Sequence, residues 1–207
     1  MQKGKRKSET DKVKIYIDTC VLQGALSRRN DEDVHFLKNL KKLKWKVYTS
    51  THSLMELYEI AKDRRFLFNL VYDRWVDVNT FLRMRTRKNL NADDLSKIVK
   101  ELAIFFTTYD FIEFMDITAD VWIDIKEIVE KSNIHSSDAM HLGLARALGC
   151  KVLATHDSFF IEEGNRLLEE AGIIDQIKVC DIKDVEQTVR GMESSMQIDS
   201  SPKKILN

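Results

Sequence analysis

The stretch VKIYID, residues 13–18, decides how this chain folds. β-Branched and aromatic side chains make up most of it, a composition typical of a strand buried inside a parallel sheet. Asp18 stands where the apolar run stops. A carboxylate at the end of a buried strand is costly to desolvate unless a partner neutralises its charge, and a divalent cation does this well. Asp18 is therefore a candidate metal ligand.

Apolar runs of strand length recur along the chain and alternate with helical patterns. Further strands are predicted at residues 45–49, 111–117, 151–154 and 177–180. A long helix is predicted to begin at Ser53, and shorter ones at residues 20–28, 31–43, 92–107, 119–131, 137–148 and 159–171. This alternation predicts an α/β fold, a parallel β-sheet of about four to five strands flanked by helices, with a helical-arm insertion.

One domain is expected to account for most of the chain. The predicted divisions are a basic flexible leader at 1–12, the domain at 13–190 with its arm at 62–107, and a disordered tail at 191–207. No stretch reaches the roughly 18 apolar residues of a membrane span, and no signal-peptide pattern is present, so a cytoplasmic protein is expected. The cysteines lack the spacing of a disulfide framework or zinc site: Cys20, Cys150 and Cys180.

Three more carboxylates stand beside apolar runs: Glu56, Asp138 and Asp157. Ligands of parallel sheets bind beyond the carboxyl ends of the strands, so Asp157, just past the fourth strand, belongs at the same edge as Asp18. Each carboxylate also has a structural explanation. Ser53 and Glu56 fit a capping box, Asp138 favours a helix N-terminus, and Asp157 could cap the next helix. Four carboxylates at one edge nevertheless favour a magnesium or manganese site.

Four motifs resemble, in order, those of the PIN-domain nucleases: IDTCVL at 17–22, SLMEL at 53–57, SDAMHLGLA at 137–145 and LATHDSFF at 153–160. The subgroup most similar in appearance is the VapC-type ribonuclease toxins of prokaryotic toxin–antitoxin pairs. The resemblance implies a quartet that holds one or two Mg²⁺ or Mn²⁺ ions: Asp18, Glu56, Asp138 and Asp157. It also implies that Thr155 holds a water or a carboxylate, with Thr19 and Ser137 as weaker supporting candidates.

The resemblance implies a metal-dependent endoribonuclease that hydrolyses RNA phosphodiester bonds, with an antitoxin protein and a homodimer as expected partners. Crowded carboxylates repel one another, so without metal at least one should have a raised pKa, and activity should rise with pH. The 33 basic and 33 acidic residues balance overall, but basic runs occur in the leader and at 41–46. RNA contact is predicted for a third basic run, on the arm: Arg83, Arg85, Arg87 and Lys88.

Two features depart from the compact members of this family: the interval between Glu56 and Asp138, and the basic leader and polar tail, which lie outside the minimal pattern. The interval between Glu56 and Asp138 is longer and contains the arm, whose apolar stripe suggests core or dimer packing.

A non-catalytic RNA-binding or assembly module on the same fold is the alternative function. A phosphatase of the haloacid dehalogenase type is disfavoured, because Cys20 stands where its general acid would be. His141 and His156 are interpreted as satisfied local or core groups.

Overall fold

The computed structural model describes residues 13–27, 30–74, 77, 79, 90–174 and 176–199, with the backbone alone at 71–74 and 195–199. The predicted leader and the end of the predicted tail, residues 200–207, lie outside the described part. So do the residues predicted to contact RNA: Arg83, Arg85, Arg87 and Lys88. Their roles, and the domain bounds that depend on them, remain predictions.

A five-stranded parallel sheet lies at the centre of the described chain. Its strands are β1 (Lys14–Ile17), β2 (Lys46–Ser50), β3 (Ile112–Met115), β4 (Val152–Ala154) and β5 (Lys178–Cys180). Their spatial order is β3-β2-β1-β4-β5, so the strand that opens the fold is also its central strand. Each strand coincides closely with its apolar run, which confirms the predicted α/β class and the parallel sheet.

Eight helices flank the sheet within the described ranges. They are α1 (Thr19–Ser27), α2 (Asp31–Leu43), α3 (Thr51–Arg74), α4 (Ala92–Thr108), α5 (Ala119–Lys131), α6 (Ser136–Ala147), α7 (Ser158–Glu170) and α8 (Val185–Asp199). Helix α3 begins at Thr51, directly after β2, rather than at Ser53. Helix α8 continues through Gly191, where the disordered tail was expected to begin, because Val185 and Val189 are buried in the core and anchor its first turns.

Helices cover both faces of the sheet. On β1, Ile15 and Ile17 belong to one core together with Leu57 of α3, whereas Tyr16 belongs to a second core with Leu142 of α6. Successive side chains of a strand point to opposite faces, so an uninterrupted apolar strand is what two buried faces require. Burying such a side chain fully contributes about 1.5–3 kcal/mol to the free energy of unfolding. The two cores therefore place the sheet between two layers of helices.

The helices on either side of the arm's undescribed segment pack against each other. Phe66 and Leu70 of α3 are buried, as are Ile98 and Leu102 of α4. Part of the apolar stripe on the arm is therefore core, although Leu67 on the same helix is exposed. None of the helices in the described part is long and apolar enough to cross a membrane.

Candidate active site

The carboxyl edge of the sheet brings together carboxylates from four segments of the chain. Asp18 follows β1 and Asp157 follows β4 by a short loop, and these strands are paired neighbours. Glu56 lies in the second turn of α3, which begins where β2 ends. Asp138 lies in the first turn of α6. The edge predicted for Asp18 and Asp157 is thus confirmed, and the other two carboxylates join it from helices.

Asp18 is buried, with 6% of its surface exposed. Its Oδ2 accepts hydrogen bonds from the Thr155 hydroxyl at 2.6 Å and the Cys20 thiol at 3.0 Å. Its Oδ1 lies 3.4 Å from His141 Nε2. Charge-assisted bonds of this kind contribute about 1.5–3 kcal/mol each and fix the carboxylate in one orientation. The contact from Thr155 is the carboxylate-holding contact that the resemblance implies for that residue.

Glu56 is held by three donors. The Thr19 hydroxyl donates to its Oε2 at 2.5 Å, His141 Nε2 lies 3.4 Å from the same oxygen, and His52 Nε2 lies 3.3 Å from Oε1. Burial alone would raise the pKa of Glu56, but the hydrogen bonds from His141 and Thr19 outweigh it and bring the pKa to about 2. The capping-box interpretation is wrong, because the Ser53 backbone N–H donates to the Ser50 hydroxyl instead.

The pKa of Asp138 is shifted in the opposite direction to that of Glu56. Burial and the negative charges of Asp18 and Asp157 raise its pKa to about 6, against weaker opposition from His141 and His135. One carboxylate of the group therefore holds its proton well above the usual range, as the crowding predicts. The neighbouring Ser137 does not contact the quartet among its described bonds; its hydroxyl lies 3.0 Å from His135 Nδ1.

Asp157 combines two positions that the sequence treated as alternatives. Its Oδ1 accepts the backbone N–H of Phe160 at 3.0 Å, so it does cap α7. Its own N–H donates to the Thr155 hydroxyl, which also holds Asp18. Because a carboxylate offers about four lone-pair sites, capping leaves acceptor capacity for a ligand. Asp157 is exposed, and it forms the solvent side of the group.

His141 has a role that sequence reasoning missed. It is 1% exposed, its Nδ1 lies 3.0 Å from the Tyr16 hydroxyl, and its Nε2 lies between Asp18 and Glu56. The pKa of His141 is raised: burial opposes this, but the hydrogen bond to Glu56 and the nearby carboxylates prevail. The one available signal was its spacing, since a residue three positions after Asp138 lies on the same helix face.

A second histidine anchors the loop that carries Asp157. His156 Nε2 lies 2.5 Å from Asp33 Oδ1, and its Nδ1 lies 3.1 Å from Asp181 Oδ2. Asp33 is 1% exposed and packs against α1 at Gly24, where an added Cβ would come within 1.8 Å of Asp33 Oδ2. The two contacts of the His156 ring support its interpretation as a satisfied local group. The loop is consequently tied to α2 and to the end of β5.

The donor chemistry of the quartet fits a hard divalent cation. All four side chains offer oxygen ligands, which Mg²⁺ and Mn²⁺ prefer. In the described residues no three His, Cys, Asp or Glu side chains converge closely enough to hold an ion as they stand. Hydroxyl and imidazole donors occupy Asp18 and Glu56 instead. The residues therefore fit the ion by charge and ligand type, and its approach requires these donors to shift.

The raised pKa of Asp138 predicts how ion binding depends on pH. A proton and a cation compete for this carboxylate, so Mn²⁺ affinity should rise steeply from about pH 5 to about pH 7 and then level off. Glu56, with a pKa of about 2, stays ionised over this range and adds nothing to the slope. In the metal-free protein the sign is reversed: protonated Asp138 stabilises the fold at low pH, and this contribution is lost as pH rises through about 6.

Calorimetric titration with Mn²⁺ at several pH values tests this expectation. Asp138→Asn should bind Mn²⁺ more weakly than the wild type at every pH, and its affinity should vary less with pH. Asp93→Asn changes an exposed aspartate on α4 and should bind Mn²⁺ as the wild type does. Equal Mn²⁺ affinity of the wild type at pH 5 and pH 7 would contradict the assignment of the slope to Asp138.

The sequence of the chain matches one known protein family. The PIN domain family model matches residues 15–162, more than half of the chain. The chain therefore belongs to the PIN-domain family, whose members are nucleases. No curated protein sequence matches the chain.

Two solved structures are similar to it. One is VapBC2 from Rickettsia felis bound to a DNA fragment from their promoter, at 14% identity and a TM-score of 0.48. The other is DNA-bound VapBC from Salmonella typhimurium, at 16% identity and a TM-score of 0.48. Each comparison covers 82% of this chain and 98% of the matched chain.

Proposed function

We propose that this protein is a metal-dependent endoribonuclease in which the quartet holds Mg²⁺ or Mn²⁺. The observation that supports this is the gathering of four carboxylates, from four separate segments, at the edge where parallel sheets bind ligands. Such a group is costly without a cation, as the raised pKa of Asp138 indicates. When bound, the ion supplies an activated water and stabilises the negative charge that develops on the phosphate.

The rest of the site holds these carboxylates in place. Thr155 fixes Asp18, and Thr19 with His141 fixes Glu56, so the two carboxylates share one imidazole and keep a constant separation. The Thr155 hydroxyl also accepts the N–H of Asp157 and so connects the third carboxylate. These contacts keep the carboxylates near one another in the metal-free protein, and an ion that binds replaces some of the donors. In this arrangement, the exposed side of the site at Asp157 is where a polynucleotide enters.

Partner proteins are proposed on separate grounds. The antitoxin follows from the motif resemblance, and the structure offers a groove of about 930 Å³ bounded by α1, α2, α3 and α4. Large apolar side chains in the groove are exposed, including Phe68 at 49% and Ile104 at 58%. Exposed apolar area of this kind suits a protein contact, either an antitoxin or a second copy of the chain. Co-purification with the product of an adjacent small gene would identify the former.

The test of the proposed function is cleavage of end-labelled structured RNA, single-stranded RNA and single-stranded DNA. Each is incubated with Mg²⁺, with Mn²⁺ and with EDTA. We expect cleavage of RNA with either ion, none with EDTA, and little cleavage of DNA. Product ends mapped by sequencing separate internal cleavage from trimming.

The alternative function predicts a different result. A non-catalytic RNA-binding module would bind RNA equally with metal and with EDTA and would cleave none of the three substrates. Cleavage that persists in EDTA would contradict the metal-dependent assignment. Preferential cleavage of DNA would keep the nuclease and overturn the ribonuclease.

A further inference from the structure

The edge of the sheet opposite the carboxylates is rich in lysine. Lys14 begins β1 in register with Lys46 of β2, and the N–H of Lys151 donates to the carbonyl of Lys14. We call this surface the lysine edge: Lys14, Lys42, Lys44, Lys46, Lys151 and Lys178. Asp18 is four positions after Lys14, about 13 Å along the strand, so the lysine edge is distinct from the active site.

Four lysines of this edge differ in their ion pairing from other lysines that lie on helices. Lys62, Lys97 and Lys126, on helices α3, α4 and α5, each form an ion pair with an acidic residue one turn away. Lys42, Lys44, Lys46 and Lys178 form no ion pair with any residue that the structure describes. The acidic neighbour Asp110 is already paired, since Lys41 lies 3.1 Å from it.

This arrangement costs stability. Like charges directly opposite on neighbouring strands repel, and Lys14 and Lys46 are such a pair. The Lys14 ammonium donates to the Leu148 carbonyl at 2.8 Å, a neutral acceptor that leaves its positive charge uncompensated. A concentrated positive field that is not used within the fold suits an external polyanion.

Two sequence features accompany these lysines. Residues 1–12, which precede β1 in the sequence, contain five lysines or arginines and two acidic residues. Trp45, between Lys44 and Lys46, is partly exposed. Lysines interleaved with an aromatic ring suit a nucleic-acid strand, whose phosphates pair with the ammonium groups while a base stacks on the ring.

We propose that the lysine edge binds the phosphate backbone of a polynucleotide, away from the site of cleavage. The contact is to the backbone, so it does not depend on sequence and is shared by RNA and single-stranded DNA. Long polynucleotides then bind more tightly than short ones, because only a long strand reaches both edges. The proposal goes beyond the proposed function and does not require that the carboxylates be catalytic.

Fluorescence anisotropy in EDTA tests the proposal apart from catalysis. The probes are single-stranded RNA and DNA of about 30 nucleotides, each titrated from about 50 mM to about 200 mM salt. The variant Lys42→Gln/Lys44→Gln/Lys46→Gln removes three unpaired lysines of the edge. Its control, Lys62→Gln/Lys97→Gln/Lys126→Gln, removes the same charge from ion-paired positions.

We expect the edge variant to bind both probes about 10–100-fold more weakly, with the salt slope reduced by about 2, since each single-strand phosphate contact contributes about 0.7. The control should stay within about twofold of wild type, and both variants should keep the wild-type melting temperature. Equal losses in the two variants, or an unchanged salt slope in the edge variant, would overturn the proposal.

Further outcomes distinguish a polynucleotide from other ligands and keep the binding test apart from catalysis. Binding of polyglutamate but of neither polynucleotide would overturn the proposal in favour of an acidic protein partner. Loss on RNA but not on DNA would also overturn it, because backbone charge is common to both. Anisotropy in EDTA measures binding alone, so a failure of the proposed catalytic function leaves the test of the lysine edge intact.

Discussion

Replacing Asp18 with asparagine is expected to lower the rate of RNA cleavage on the order of 10³-fold, equivalent to about 4 kcal/mol of transition-state stabilisation. Asparagine has the same shape but no charge, and its amide nitrogen cannot bind a cation. The position is buried and held by the Thr155 hydroxyl and the Cys20 thiol, so the asparagine should keep the place of the aspartate. Catalysis should therefore be lost while the backbone stays where it is.

The fold should tolerate this change. The charge of Asp18 helps to raise the pKa of Asp138, so its removal relieves repulsion and partly offsets the weakened contact with His141. We expect the melting temperature to change by less than about 4 °C, which corresponds to about 1 kcal/mol for a chain of this size. Cleavage rates and thermal melting of Asp18→Asn would be measured beside Asp93→Asn, an exposed aspartate paired with Lys97.

The comparison has a clear contrary outcome. If Asp18→Asn cleaves RNA within about tenfold of the wild type, Asp18 supplies little of the transition-state stabilisation assigned to it. If it loses cleavage but also melts well below the wild type, the loss reflects stability instead. Asp93→Asn should match the wild type in both measurements.

Replacing His141 with leucine is expected to lower the free energy of unfolding by about 3 kcal/mol, or about 6–12 °C in melting temperature, when no metal is present. The imidazole is buried and is a shared donor for Asp18 and Glu56. Leucine fills similar space but leaves two carboxylates facing each other without that donor. Removing one partner of a buried charged group is costly because the remaining charges are uncompensated.

A divalent cation should reverse part of this loss. An ion that binds the folded state raises its stability by mass action, and it compensates the carboxylates as the imidazole did. Excess Mn²⁺ should therefore raise the melting temperature of His141→Leu more than that of the wild type. His35→Leu is the matched control, since His35 is an exposed histidine on α2 that contacts only the local carbonyl of Asp31 among its described bonds.

Tyr16→Phe removes the hydroxyl that lies 3.0 Å from His141 Nδ1. The same hydroxyl also bonds to Ser50 and Ser53, so the loss of about 1 kcal/mol that we expect from thermal melting is an upper limit for the contact with His141. An equal response of His141→Leu and wild type to Mn²⁺ would contradict the view that imidazole and cation neutralise the same carboxylates. A melting temperature for His141→Leu equal to that of the wild type would contradict the proposed cost.

The local sequence was sufficient wherever one residue and its neighbours set the outcome. The run at 13–18 predicts a strand because its alternating apolar side chains must fill two buried faces, and the strand that forms is Lys14–Ile17. A cap was the structural alternative considered for Asp157, and the capping bond that the structure shows spans only three residues. Helix α8 shows the limit of this reasoning: weak periodicity near Gly191 suggested disorder, but tertiary contacts at Val185 and Val189 anchor the helix.

By itself, the sequence determined the strands, the order of the motifs and the edge shared by Asp18 and Asp157, because parallel strands bring their carboxyl ends together. Only the tertiary structure decided which groups hold the carboxylates. Tyr16 meets His141 across 125 residues, and Asp33 meets His156 across 123. Such contacts have no local pattern, since they exist only after the strands have been ordered in the sheet. Glu56 illustrates the reason: a cap at Ser53 was chemically reasonable, but folding placed Thr19 and His141 within its reach.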